Sequence, residues 1–356
     1  MKTAVVLFNL GGPDSLDAVK PFLRNLFGDP AIIGAPAFVR LPLAWFISTR
    51  RAPVARNIYA RIGGRSPILP QTQAQAEALQ TVLAARHPGD SIRVFVGMRY
   101  WHPFSDAVAA EMAAWAPDRI VLLPLYPQMS TATSQSSIVD WHRAARKAGL
   151  QVPTRSVCCY PTQPGFVAAS VALVRKGLED AGTGPIRLLF SAHGLPEKIV
   201  RGGDPYQVQV EATARAIAMT LDIPDLDWSI CYQSRVGPLK WIGPSTGAEI
   251  ERAARDGKGV VLYPLAFVSE HSETLVELDI EYRELAHKVG VSTYVRVPTV
   301  GTAPRFIAGL ADLVDQRLNE PLSSVDRDAS GPACPTSCSR CPMGRNRAIS
   351  LAWSGQ

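Results

Sequence analysis

"IVLLPLYPQMSTATS" (120–134) and "VVLYPLAFVSEHSET" (260–274) follow one plan: an apolar run, an internal proline, then polar residues rich in serine and threonine. A short continuous apolar run bounded by turn residues suits a strand buried on both faces, as in a parallel sheet covered by helices. The same echo joins "VVLFNLGGP" (5–13) to "RLLFSAHGLP" (187–196). Two matching pairs in the same order point to a duplicated unit.

Working outward, apolar runs fall at 4–10, 92–98, 119–127 and 152–160 in the first half, and at 186–192, 226–232, 259–267 and 291–297 in the second. Helix-period segments lie at 71–87, 105–116, 135–148, 165–181, 205–221, 246–256, 272–289 and 304–319. Strands alternating with helices predict an α/β protein of two related, doubly wound units, each a parallel sheet with helices on both faces. Ligands in such folds bind beyond the carboxyl ends of the strands, so a cleft between the units is expected. "YPTQPG" (160–165) marks the boundary, giving halves 1–164 and 165–303. Residues 304–320 are expected to pack back on the first half, leaving a cysteine-bearing tail at 325–345.

Composition narrows the function. The 356 residues are 47% hydrophobic and 19% charged, with a net charge of +6. The basic residues are scattered without a tract interleaved with aromatics, which argues against nucleic acid and leaves an anionic lipid or small anion. No apolar run reaches the roughly 18 residues of a membrane span. The N-terminal "MKTAVVLFNLGGP" lacks a signal-peptide core and cleavage site, so a cytoplasmic protein is expected. Cysteines there would be reduced, catalytic or metal-bound. There is neither G-x-G-x-x-G nor a Walker A sequence, so no nucleotide cofactor is indicated.

Three constellations carry chemistry. His193 stands where an apolar strand gives way to a turn, and a neutral imidazole can accept protons from a substrate. A structural histidine is the commoner case, but the end of such a strand is where sites form. Glu273, Glu277 and Glu281 recur every fourth residue, with no basic residue four positions on from Glu273 or Glu277. A solvated acidic face is the ordinary reading; Leu275, Leu278, Ile280 and Tyr282 argue instead for a stripe on a buried helix. Such a stripe suits protons or a hard cation, a π-type turn would fit it, and His271 adds a borderline ligand. Cys334, Cys338 and Cys341 crowd the tail, and Cys158–Cys159 end the fourth strand. Four such thiols suit structural zinc or an iron–sulfur cluster. Arg50 and Arg51 sit in a basic stretch near Tyr59 and Ser66, suited to carboxylates. The proline-broken apolar stretch 19–47 reads as core, or as an exposed lip for a flat ligand or a membrane.

The stretches "LLFSAHGLPEKIVRGGDPY", "CYQSRVGPLKWIGPST", "YPLAFVSEHSETLVELDIEY" and "VGMRYWHP" together resemble the ferrochelatases over nearly the whole chain. The resemblance implies two similar Rossmann-like domains, each a four-stranded parallel sheet, with the active-site cleft between them. It implies insertion of ferrous iron into protoporphyrin IX. His193 and Glu273 would face each other across the macrocycle as catalytic groups and iron ligands. His271, Glu277 and Glu281 would form a proton or metal path. Arg99 and Tyr100 would lie near the inner edge of the ring; Arg50, Arg51, Tyr59 and Ser66 would meet the propionates, and Trp241 would line the pocket. Leu10 matches an apolar position of protoporphyrin-using members, against tyrosine in those that use coproporphyrin. Some members carry a 2Fe–2S cluster. Here Cys334, Cys338 and Cys341 would hold it, with Cys158, ahead of Cys159, as fourth ligand; structural zinc is the lesser reading. A homodimer through the tail and peripheral contact with the inner face of the cytoplasmic membrane are further expectations. The rivals are a chelatase for another metal or tetrapyrrole and a non-catalytic haem carrier, which would have no need of the acidic row.

Overall fold

The computed structural model describes residues 1–235, 237 and 239–319. Two sheets form the frame. β1 (Lys2–Asn9), β2 (Ser91–Met98), β3 (Arg119–Pro124) and β4 (Thr154–Ser156) pair in the order β2-β1-β3-β4. β5 (Ile186–His193), β6 (Trp228–Gln233), β7 (Gly259–Pro264) and β8 (Tyr294–Arg296) repeat that permutation as β6-β5-β7-β8. Every pairing is parallel. The helices of the first half are α1 (Val19–Gly28), α2 (Ala37–Ala60), α3 (Ile68–Arg86), α4 (Ser105–Trp115) and α5 (Ser136–Lys147). Then come α6 (Pro164–Ala181), α7 (Glu197–Arg201), α8 (Tyr206–Leu221), α9 (Thr246–Arg255), α10 (Tyr282–Val289) and α11 (Pro304–Leu318). A π-helical turn, Thr131–Gln135, follows β3, and a longer π-helix, Glu273–Glu281, follows β7. The duplication read from the sequence therefore extends to the irregular helices.

Central strands β1 and β5 are buried along nearly their whole length, as apolar runs covered on both sides must be. Leu7, Leu79, Val121, Leu310 and Val314 share one core, so α11 closes the first sheet with α3. α6 spans both halves: Phe166 joins that core, while Val167, Val171 and Val174 join the core of the second sheet.

Two expectations change. The runs 152–160 and 291–297 yield only the three-residue edge strands β4 and β8. Pro153 and Pro298 flank them, and proline cannot donate to a ladder. The stretch 19–47, read as broken by prolines, and much of the basic stretch after it form α1 and α2 instead. α2 runs through Pro42 and Pro53, and both prolines lie on its exposed side. That leaves Phe38, Leu41, Trp45, Phe46 and Val54 of α2 exposed. Among the described residues, no helix is long and apolar enough to cross a membrane.

Candidate active site

β5 delivers His193 at its carboxyl end, and the π-helix after β7 delivers Glu273. Their side chains meet with Nε2 to Oε1 at 3.6 Å. Both are only about two-thirds covered, at 36% and 32% side-chain exposure, so the pair opens onto solvent rather than lying in solid core. His193 Nδ1 contacts the carbonyl of Gly194 at 2.6 Å, which requires Nδ1 to carry hydrogen and turns Nε2 to the carboxylate. Gly194 must be small: a Cβ there would sit 2.9 Å from the Gln233 carbonyl and 3.2 Å from the Trp241 ring. Trp241 thus packs beside Gly194, the residue after the imidazole.

His271 stands on the other side of Glu273, with Nε2 3.7 Å from Oε2. Its Nδ1 accepts from the Thr274 amide at 3.3 Å, and its ring lies edge-on to Phe267. With Nδ1 accepting, the proton of the neutral ring is on Nε2, facing Glu273.

The electrostatics follow from these contacts. Burial depresses the His193 imidazolium, but the charge and proximity of Glu273, helped by the Gly194 carbonyl, override it and raise the pKa to about 9. Burial pushes Glu273 up, and His193 overrides that in turn, holding the carboxyl down at about 2. His271 is lowered, chiefly by burial. Glu277 is raised, first by burial and then by the charge of Glu273, against the pull of Ser234. The free site thus holds an imidazolium–carboxylate pair between a neutral histidine and a second carboxyl whose pKa is raised.

The residues expected at the mouth come from the first half. Leu10 packs on Val19, Phe22, Leu23, Tyr59 and Tyr100. A Cβ on Gly12 would fall 2.5 Å from both Cβ and Oγ of Ser66, so only glycine admits the buried Ser66. The Tyr59 hydroxyl accepts from Ser272 at 3.3 Å, tying α2 to the start of the π-helix; burial pushes its pKa up to about 12. Arg50 and Arg51 are exposed on α2, their guanidinium groups over the rings of Phe46 and Phe27 at 5.4 and 5.8 Å.

Two predicted residues share a partner. Tyr100 is 1% exposed and donates its hydroxyl to Asp29 at 2.9 Å. Arg99 pairs with Asp29 at 2.7 Å and donates to Ser136 at 2.7 Å. Their guanidinium and phenol are thus engaged in a buried network whose centre is Asp29, a residue the sequence reading passed over. Glu281, the outermost of the acidic row, is exposed and lies 3.6 Å from Arg61, the residue after α2. The tail cysteines Cys334, Cys338 and Cys341 lie outside the described residues. Cys158 is buried; the more accessible Cys159 accepts a hydrogen bond from Gln209 at 3.3 Å. Among the described residues no group of three or more histidine, cysteine or acidic side chains is disposed to hold a metal ion.

With this geometry the comparisons are direct. A ferrochelatase family model matches residues 2–318. The ferrochelatase of Caulobacter vibrioides is 56% identical over 342 residues, covering 96% of this chain and 97% of the relative. The chain belongs to the ferrochelatase family. The ferrochelatase of Phenylobacterium zucineum is 54% identical over 347 residues, covering 96% and 98%. Among solved structures, "SirB from Bacillus subtilis with Fe3+" aligns over 90% of this chain and 96% of its own, with a TM-score of 0.49 at 14% identity. The chain is thus an enzyme of metal insertion into porphyrin, a lyase of haem and porphyrin biosynthesis.

Sequence reasoning also missed Gln233, Ser234 and Tyr282, all of which reach Glu277. The signal was available: "CYQSRVGP" leaves the carboxyl end of a strand, as "SAHGLP" does.

Proposed function

We propose that the substrates are ferrous iron and protoporphyrin IX, joined to give protohaem and two protons, the last step of haem biosynthesis. The observation that carries this reading is the convergence of His193 and Glu273 at a partly open site. Insertion removes the protons of two pyrrole N–H groups, and the site supplies bases to receive them. Glu273, ionised at neutral pH, takes a proton directly; His193 takes one once its own has passed on. Glu277 is the next carboxyl in the row. Ferrous iron, as substrate, meets His193 and Glu273 together with the four nitrogens of the macrocycle.

The walls fit a flat apolar ring. Trp241 beside Gly194 and the cluster around Leu10 offer apolar faces. Arg50 and Arg51 offer forked donors to the propionates. Binding energy from these remote contacts can bend the ring and expose its nitrogens. Leu10 favours protoporphyrin over the more carboxylated coproporphyrin, whose extra charge would meet a hydrocarbon side chain. An anaerobic assay with ferrous iron and each porphyrin, followed at the Soret band, tests this reading. Faster turnover of protoporphyrin is expected; preference for coproporphyrin, or binding of either without insertion, contradicts it.

The tail is proposed to carry a 2Fe–2S cluster on Cys334, Cys338, Cys341 and one thiol of the Cys158–Cys159 pair. The donor set fits: four soft sulfurs, with the amide hydrogen bond to Cys159 suited to a thiolate. When bound, such a cluster supplies one-electron chemistry and a rigid cross-link, and no step of metal insertion is assigned to it. A homodimer contact through the tail rests on the same residues. The exposed apolar side chains of α2 support peripheral attachment to the inner face of the cytoplasmic membrane.

A further inference from the structure

We infer that Ser234 is a positioning residue for metal insertion, acting through Glu277 to hold the second carboxyl of the proton route in line with the first. The inference rests on the proton route proposed above.

The geometry is specific. Ser234 is the first residue beyond β6, the strand beside the one that carries His193. Its backbone φ is +60°, in the left-handed region that residues other than glycine adopt at a cost. This turn aims two donors of one residue at one carboxylate. The Ser234 amide donates to Glu277 Oε1 at 2.7 Å, and its hydroxyl donates to Oε2. Tyr282 donates to Oε1 at 3.2 Å from the following helix, and Gln233 Nε2 lies 3.4 Å from Oε2. The same Gln233 nitrogen reaches the backbone carbonyl of Glu273 at 3.3 Å. Both carboxyls of the row are thus referenced to the end of β6, and so to His193, which pairs with Gln233 across the sheet.

Among the described residues no salt bridge holds Glu277; its neighbours in charge are Glu273 and His193. Left to itself, a flexible glutamate four residues along would sample several rotamers. Ser234 removes that freedom, and its strained turn is explained by the contact it makes.

Three variants test this. Ser234→Gly keeps the left-handed turn and the amide but deletes the hydroxyl. It should lower kcat by about ten- to a hundredfold, the scale for a lost hydrogen bond to a charged group, with the porphyrin KM unchanged. Ser234→Asn tolerates the same turn and offers an amide donor, so it should recover most of kcat. In a Glu277→Gln background, Ser234→Gly should have little further effect, because the hydroxyl acts through that carboxylate. A rise in KM with unchanged kcat would overturn the inference, assigning Ser234 to the pocket wall. So would an equal loss in both backgrounds. Failure of wild-type insertion would speak instead against the proposed reaction. The clamp has its own readout: the 13C shift of the Glu277 carboxyl moves in Ser234→Gly if the contact exists, and an unmoved resonance refutes it whatever the activity.

Discussion

His193 Nε2 lies 3.6 Å from Glu273 Oε1, too far for a strong hydrogen bond and near enough for each group to fix the other's charge. The histidine comes from the end of β5 and the glutamate from the π-helix after β7, so the pair depends on the register of the second sheet.

The first consequence is pH dependence. His193 titrates at about 9, above its ordinary 6.5, so the folded state holds this proton more tightly than the unfolded chain. Its contribution to stability is complete below about 6.5 and is lost as pH rises through about 9. Catalysis runs the opposite way, because only the unprotonated imidazole accepts a proton. kcat/KM should rise with pH toward about 9. In Glu273→Gln the limb should move to lower pH. A limb that stays in place in that variant would remove Glu273 as the cause.

Asp29 should prove structural. Its Oδ2 receives Tyr100 at 2.9 Å and Ser136 at 2.5 Å and pairs with Arg99 at 2.7 Å. Asp29→Ala leaves a largely buried guanidinium without its anion, and a loss of about 3–5 kcal/mol in denaturant unfolding is expected. A change below about 1 kcal/mol would mean that water or Asp140, 3.9 Å from Arg99, takes over.

The cysteines are separable by colour. Anaerobically purified protein should show the visible absorption of a 2Fe–2S cluster, lost in Cys338→Ala. Substituting Cys158 or Cys159 singly should abolish it in one case only, which names the fourth ligand. A colourless protein with stoichiometric zinc would replace the cluster by a zinc knot.

The α2 surface should bind membranes. Co-sedimentation with anionic vesicles is expected, and replacing Phe38, Trp45 and Phe46 together by serine should weaken it at least about tenfold, given about 1.5–3 kcal/mol for each large apolar side chain fully buried. Equal sedimentation of both forms would leave this surface another purpose.

Much of this was legible in sequence because the chain states it twice. The echo of 120–134 in 260–274 led to two sheets of one topology, and strand ends led to His193. Four-residue spacing led to Glu273 and Glu277, and the π-helix that accommodates them was anticipated. Three things were hidden. The edge strands shrank because apolar sequence marks burial, while ladder length is set by neighbours and flanking prolines. α2 escaped because the prolines of 19–47, Pro42 among them, read as breakers, although Pro42 lies on the helix's exposed side. Asp29 escaped because its importance lies in a partner distant along the chain, Arg99, which no local pattern reveals; Ser234 was passed over although it follows a strand end as His193 does.

The central claim is that His193 receives a pyrrole proton during insertion. The most direct test compares wild type with His193→Ala in an anaerobic iron-insertion assay at the Soret band, alongside porphyrin affinity by fluorescence quenching. Loss of turnover by at least about a hundredfold with porphyrin affinity retained is predicted. Near-normal turnover in the variant would contradict the account.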